Sequence, residues 1–200
     1  MFRSQLKSGI AHVGEALRNP EAFAVRWNNQ EVRYAWWVWG ALLATAAVGT
    51  TTYGMTMGLL GGTTEIFYKG IVCTLAAGLA WSISLPTLYV LHSLSGSRLS
   101  ASSTVLAALV TVSWGGLAMI ASIPINWFLT VAIPHPGFVL LLNLVVFAGV
   151  GVSMFDTFRR VISSLEPHRT TTPMWWLMLV GIIGIELFWS FGLFDFSAVA

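Results

Sequence analysis

"TVLAALVTVSWGGLAMIASIPINWFLTV", residues 104–131, runs for 28 residues without a charged side chain. About 20 apolar residues suffice for a helix to cross the hydrocarbon core of a bilayer. A membrane strand would instead alternate apolar and polar residues over about ten positions, and this stretch does not. In lipid a helix satisfies its own backbone groups, so the stretch is predicted to be a membrane-spanning helix.

Four further runs have the same character. They cover residues 35–60, 70–94, 138–158 and 174–194. The predicted fold class is therefore all-α: a polytopic membrane protein, a bundle of five transmembrane helices. Residues 35–200 form that bundle, and residues 1–34 form an amphipathic N-terminal segment. Composition agrees, with 56% hydrophobic and 9% charged residues, against about a quarter charged in soluble domains.

Basic residues set the expected orientation. Arg3, Lys7, Arg18, Arg26, Arg33, Arg98, Arg159, Arg160 and Arg169 all fall on one side of the five-span threading, and Lys69 alone falls on the other. The N-terminus is expected in the cytoplasm and the C-terminus outside, in a bacterial inner membrane. The first residues are too polar for a cleavable signal peptide. Phe2, Leu6, Ile10, Val13 and Leu17 make one apolar stripe, which suits either packing on the spans or lying on anionic lipid. In "RNPE", Asn19 is expected to cap and Pro20 to begin a second short helix.

The chemistry-bearing residues are sparse. Cys73 stands alone, so no internal disulfide forms. No nucleophile, base and orienting group occur as a set, and "GVGVSM" lies inside a span with no strand before it, which removes the context of a phosphate loop. No enzyme is expected. No metal site is expected either. His92, at the end of the second run, is the candidate ligand for a pigment magnesium, although a lone interfacial histidine more often only hydrogen-bonds. Bound lipid is expected. The basic residues form no dense patch, so the expected partners are membrane lipids and other membrane protein subunits, not nucleic acid.

Small residues and prolines mark the spans. Gly54, Gly58, Gly115, Gly116 and Gly149 let helices approach closely, for internal packing or for docking a partner. Pro86 and Pro124 are candidate kinks, with Ser82, Ser84 and Thr87 placed to answer the carbonyl that Pro86 frees. Glu186, in "GIIGIELFWSF" (181–191), lies roughly 18 Å into the fifth run at 1.5 Å per residue from Met174. A carboxylate isolated in lipid is costly, so Glu186 is expected to face protein. Ser190, one turn on, and Asn143 and Tyr53 across the bundle complete the expected intramembrane polar site. Lys69 is its expected ionic partner if the second helix lies adjacent.

Three stretches resemble the Yip-type family of five-span membrane proteins, named for interaction with Ypt/Rab GTPases, and in particular its bacterial relatives. "LRNPEAF" is similar to their asparagine–proline segment. "YGMTMGLLGG" resembles the tyrosine–glycine end of their first span. "KGIVCTLAAGLAWSISLPTLYVLHSLSGSRLS" resembles the second span of a bacterial subgroup. Asn19, Pro20, Tyr53, Gly54, Gly58, Lys69, Pro86, Tyr89, Gly96 and Arg98 carry the match. The acidic stretch that eukaryotic members carry before the first span is not found here. The resemblance implies a non-enzymatic integral membrane protein that works in complexes. The function expected is thus a scaffold or adaptor that docks partner membrane proteins. Two alternatives stand beside it: an accessory subunit of a large energy-converting or photosynthetic complex, and a transporter or channel component.

Overall fold

The computed structural model describes residues 11–169 and 177–194. Within them the chain is helical: α1 (11–18), α2 (Pro20–Asn28), α3 (Trp36–Met57), α4 (Thr63–Leu94), α5 (Ala101–Ala132), α6 (Pro136–Leu165) and α7 (Leu177–Ser190). No strand occurs among the described residues.

Helices α4, α5 and α6 are each long and apolar enough to cross a membrane. Their bounds exceed the apolar runs for a physical reason. α4 starts at Thr63 because its first turns are polar but helical, with Glu65 near the start and Lys69 one turn on. α6 continues to Leu165 as an amphipathic extension. It buries Phe158, Val161, Ile162 and Leu165 while Arg159 and Arg160 face outward.

α3 and α7 correspond to the first and fifth runs, but neither meets the same measure of length and hydropathy. α7 has 14 described residues. α3 has 22, but many are threonine, glycine and aromatic. Its place in the bundle explains that composition. α3 packs along both α4 and α5, more extensively than any other helix pairs do. A helix covered by protein needs small residues more than it needs hydropathy.

Close approach is literal here. A Cβ added at Gly116 would lie 2.8 Å from the Ala46 Cα and the Thr45 carbonyl oxygen of α3. One added at Gly54 would lie 2.6 Å from the Cys73 Cβ, and one at Gly58 2.6 Å from the Glu65 carbonyl oxygen. Gly49 faces the Gly116 backbone directly. α7 packs against α4. α4 and α5 run unbroken through Pro86 and Pro124. The hydroxyls near Pro86 do not serve it as expected: Ser82 donates to the Gly78 carbonyl and Ser84 to the Ala80 carbonyl, each four residues back.

The N-terminal segment folds onto one end of the bundle. The Asn19 side chain caps α2 by accepting from the Ala22 amide at 3.2 Å, and Pro20 opens that helix, as the sequence predicts. Of the apolar stripe, Phe2, Leu6 and Ile10 lie outside the described residues. Val13 packs on the core beside Ala16, Phe23 and Leu106. Arg26 pairs with Glu15 at 2.8 Å, and Arg160 with Glu21 at 2.8 Å, tying α1 to α2 and α2 to α6. Tyr34 stacks on Phe23 with ring centroids 4.0 Å apart and donates to the Phe23 carbonyl at 3.1 Å. Burial, aided by Glu15, pushes the Tyr34 phenol up to about 12, so it remains a neutral donor.

The same end carries a clamp between the α4–α5 connection and the end of α6. Glu166 accepts from the Ser97 hydroxyl and the Arg98 amide, both at 2.9 Å, and from Arg169 at 3.1 Å. Arg169 also donates to the Ser95 carbonyl at 2.8 Å. Burial alone would raise the Glu166 carboxyl, but the Arg98 amide, the Ser97 hydroxyl and the Arg169 guanidinium together hold it below the usual carboxylate range. A lowered native pKa stabilises the fold fully above the unfolded value of about 4.3 and loses that contribution as pH falls through the native value. The melting temperature of Glu166→Gln should therefore lie below wild type at about pH 6 and converge on it as pH falls through the native Glu166 value, below the unfolded one. A gap that persists at the acid end would remove the Glu166 charge from the account.

Candidate functional site

Two of the four residues expected to form the intramembrane polar site meet. The Tyr53 hydroxyl, on α3, donates to Asn143 Oδ1, on α6, at 2.8 Å. Both side chains are buried. Two further residues complete the group. Asn126, on α5, donates through Nδ2 to Thr56 Oγ1 at 2.7 Å and to Asn143 Oδ1 at 3.3 Å. Thr56 in turn donates to the Tyr53 carbonyl at 2.6 Å, and Asn143 Nδ2 to the Val139 carbonyl at 2.8 Å. Three helices are thus joined by hydrogen bonds inside their packing interface. Asn126 Oδ1 and Thr130 Oγ1 are buried without a partner among the described residues.

Glu186 is not part of this group, which corrects the expectation. It lies on the outward face of α7 among Ile182, Ile185 and Trp189, each more than 60% exposed. Ser190 is exposed as well. The inward face of α7 is instead apolar and includes the buried Gly184, 3.9 Å from the Ala80 Cβ when given a Cβ of its own. Among the described residues Glu186 has no hydrogen-bond or ion-pair partner. Lys69 meets other groups: its ammonium donates to the Gly192 carbonyl at 2.7 Å and lies 3.9 Å from Glu65. α4 and α7 are adjacent, but the lysine holds the turn after α7 and not the carboxylate on its outer face.

The marked glycines divide by role. Gly54, Gly58 and Gly116 sit at backbone contacts within the bundle, and Gly115 meets the Met154 side chain. They serve internal packing. Gly149 has nothing within 4 Å of an added Cβ and faces outward on α6. His92 is buried, with its ring 6.3 Å from that of Phe158, and lines neither cavity described next. No group of three or more potential metal ligands occurs among the described residues.

A cavity of about 480 Å³ lies between α4, α5, α6 and α7. Its walls are apolar, with Trp81, Met119, Phe147 and Phe188 prominent. A second, smaller space of about 200 Å³ lies toward the start of α4, where Glu65, Lys69 and Asn143 face it. Phe194 borders both.

The chain matches no family model, no curated protein and no solved structure.

Proposed function

We propose that this protein is a non-enzymatic, five-span membrane adaptor of the Yip type, which docks another membrane protein on the outer face of α7. In this reading α3 and α7 cross the membrane along with α4, α5 and α6. The basic residues then gather on the cytoplasmic side of a bacterial inner membrane, with the N-terminus there and the C-terminus outside. The asymmetry of nine basic residues to one supports that placement. So do the ion pairs that draw α1, α2 and the end of α6 together.

The position of Glu186 carries the docking role. It stands about 14 Å from the start of α7, counted from Leu177 at 1.5 Å per residue. Its surroundings are exposed isoleucine and tryptophan side chains. An ionisable side chain facing lipid at the middle of a helix costs on the order of 3 kcal/mol. A partner helix that presents a hydrogen-bond donor at that depth removes the cost and gains a contact that lipid cannot offer. The apolar residues around Glu186 provide the close packing that holds membrane helices together.

Native purification of the full chain from its own membrane tests this reading. Wild type and Glu186→Gln should recover the same companion protein in similar amounts, because glutamine keeps the shape and a hydrogen-bonding group. Glu186→Leu should lose it while keeping the wild-type melting temperature. Equal recovery with leucine would reject the docking role. Self-association of the purified chain in liposomes, abolished by leucine, would replace the foreign partner with a second copy.

A further inference from the structure

We propose that the cavity between α6 and α7 binds one hydrocarbon chain of an anionic amphiphile, with its head group held beside Lys69. The inference rests on the membrane placement but not on docking at Glu186.

The glycines around this cavity behave unlike those of the α3 interfaces. Gly151 on α6 and Gly181 on α7 both line it, and neither has any atom within 4 Å of an added Cβ. Here small residues leave room between helices. Phe155, Met178 and Ile185 line the cavity and are also exposed, so its mouth opens sideways between α6 and α7. At that depth the medium outside is acyl chains. An apolar cavity of this kind stays dry, and its volume falls within the range of small-ligand sites.

Length and charge select the occupant. The smaller space and the cavity lie end to end along α6. From Asn143, in the first, to Phe155, in the second, is about 18 Å of helix. One leaflet of hydrocarbon is about 15 Å deep, half of a ~30 Å core. A single chain anchored at the interface therefore fills the cavity lengthwise. At its polar end stands Lys69, whose side chain is 12% exposed. Two carbonyl oxygens, of Gly192 and Leu193, accept from its ammonium at 2.7 and 3.4 Å, and an ammonium has three protons to give. The third is available to a carboxylate or phosphate, which would compete there with the exposed Glu65 carboxylate at 3.9 Å. Phe194, on the turn that Lys69 holds, borders both spaces, so a chain reaching from one into the other runs alongside it.

Trp81 lines the cavity and reports on it directly. The full chain is placed in nanodiscs whose lipids carry bromine on the acyl chain, and the quenching lost in Trp81→Phe isolates the Trp81 signal from the other tryptophans. Brominated phosphatidylglycerol should bind about fivefold more strongly than brominated phosphatidylcholine, one lysine's share of attraction to an anionic head group. Brominated stearic acid added at low mole fraction to phosphatidylcholine discs forms the other arm. Quenching at trace levels there assigns the site to a free fatty acid, and its absence assigns it to a phospholipid. Gly181→Leu, which fills open space, should suppress the Trp81 signal with every lipid at an unchanged melting temperature. Lys69→Met should equalise the two phospholipids, and Lys69→Arg should keep their difference. Unaltered Trp81 quenching in both Gly181→Leu and Gly151→Leu would overturn the site. Equal quenching by the two phospholipids in wild type, with no response to fatty acid, would leave only bulk lipid in the cleft and overturn it as well.

Discussion

Gly116→Leu should prevent recovery of folded protein, whereas Gly149→Leu should leave yield and melting temperature close to wild type. The two glycines look alike in sequence, each inside an apolar run. In the bundle a Cβ at Gly116 meets the α3 backbone at 2.8 Å, while one at Gly149 meets nothing within 4 Å. Overfilling an ordinary core costs about 1–3 kcal/mol, because side chains can shift. At Gly116 the obstruction is main chain, flanked by Gly49 on the same crossing, so α3 and α5 must separate. Losing the most extensive helix pair in the molecule is expected to cost more than about 3 kcal/mol, a large part of a typical total of about 5–15 kcal/mol. The opposing gain in helix propensity, under about 1 kcal/mol, is too small to compensate. Size-exclusion profiles of heated detergent extracts provide the measurement. A well-folded Gly116→Leu protein would show that α3 and α5 do not meet there.

Much of the bundle is legible in the chain because lipid imposes one strong rule. A helix in hydrocarbon must be long and apolar, and residues 104–131 announce that without any partner. The N-terminal cap is legible for a similar reason, since Asn19 and Pro20 act through local backbone geometry. Direction within the membrane is less legible. Apart from Glu186 and Ser190, α7 is apolar around its whole circumference, so its other residues do not tell which face meets protein, and the cost of a carboxylate in lipid alone points Glu186 inward. The structure places the small Gly184 on that side instead. Tyr53 and Asn143 stand out as polar residues in apolar runs, but as partners for Glu186 and not for each other; Asn126 in "PINWF" and Thr56 carry the same signal, and only the fold brings the four together. The Glu166 clamp depends on Ser97 and Arg98, 69 and 68 residues earlier in the chain. No local pattern encodes that meeting. The role of each glycine is likewise set by what lies opposite, which is why Gly116 and Gly149 part company only in three dimensions.

Asn143→Leu should destabilise the bundle by about 2 kcal/mol, and Tyr53→Phe by well under 1 kcal/mol. The asymmetry comes from the number of donors that each substitution abandons. Asn143 Oδ1 accepts from both Tyr53 and Asn126. Leucine at this position strands the Tyr53 hydroxyl completely and costs Asn126 one of its two bonds, the one to Thr56 remaining. Phenylalanine at Tyr53 removes the donor together with its bond, and Asn143 keeps Asn126. A stranded buried donor costs about 1–3 kcal/mol in a protein interior. Interhelical hydrogen bonds in membranes average nearer 0.6 kcal/mol, with a maximum of about 1.7, because the unfolded helices also find partners. The buried Tyr53 hydroxyl has no other acceptor among the described residues, so its cost belongs near the upper end, and the weakened Asn126 contact adds to it. The double variant offers the sharper reading. With both partners apolar, no hydroxyl is left stranded, so Tyr53→Phe with Asn143→Leu should be less destabilised than the sum of the single variants. Reversible unfolding in mixed micelles measures all four corners of that cycle. Additive losses would mean that Tyr53 and Asn143 contribute through packing alone, and the bond between α3 and α6 would then have no part in holding those helices together.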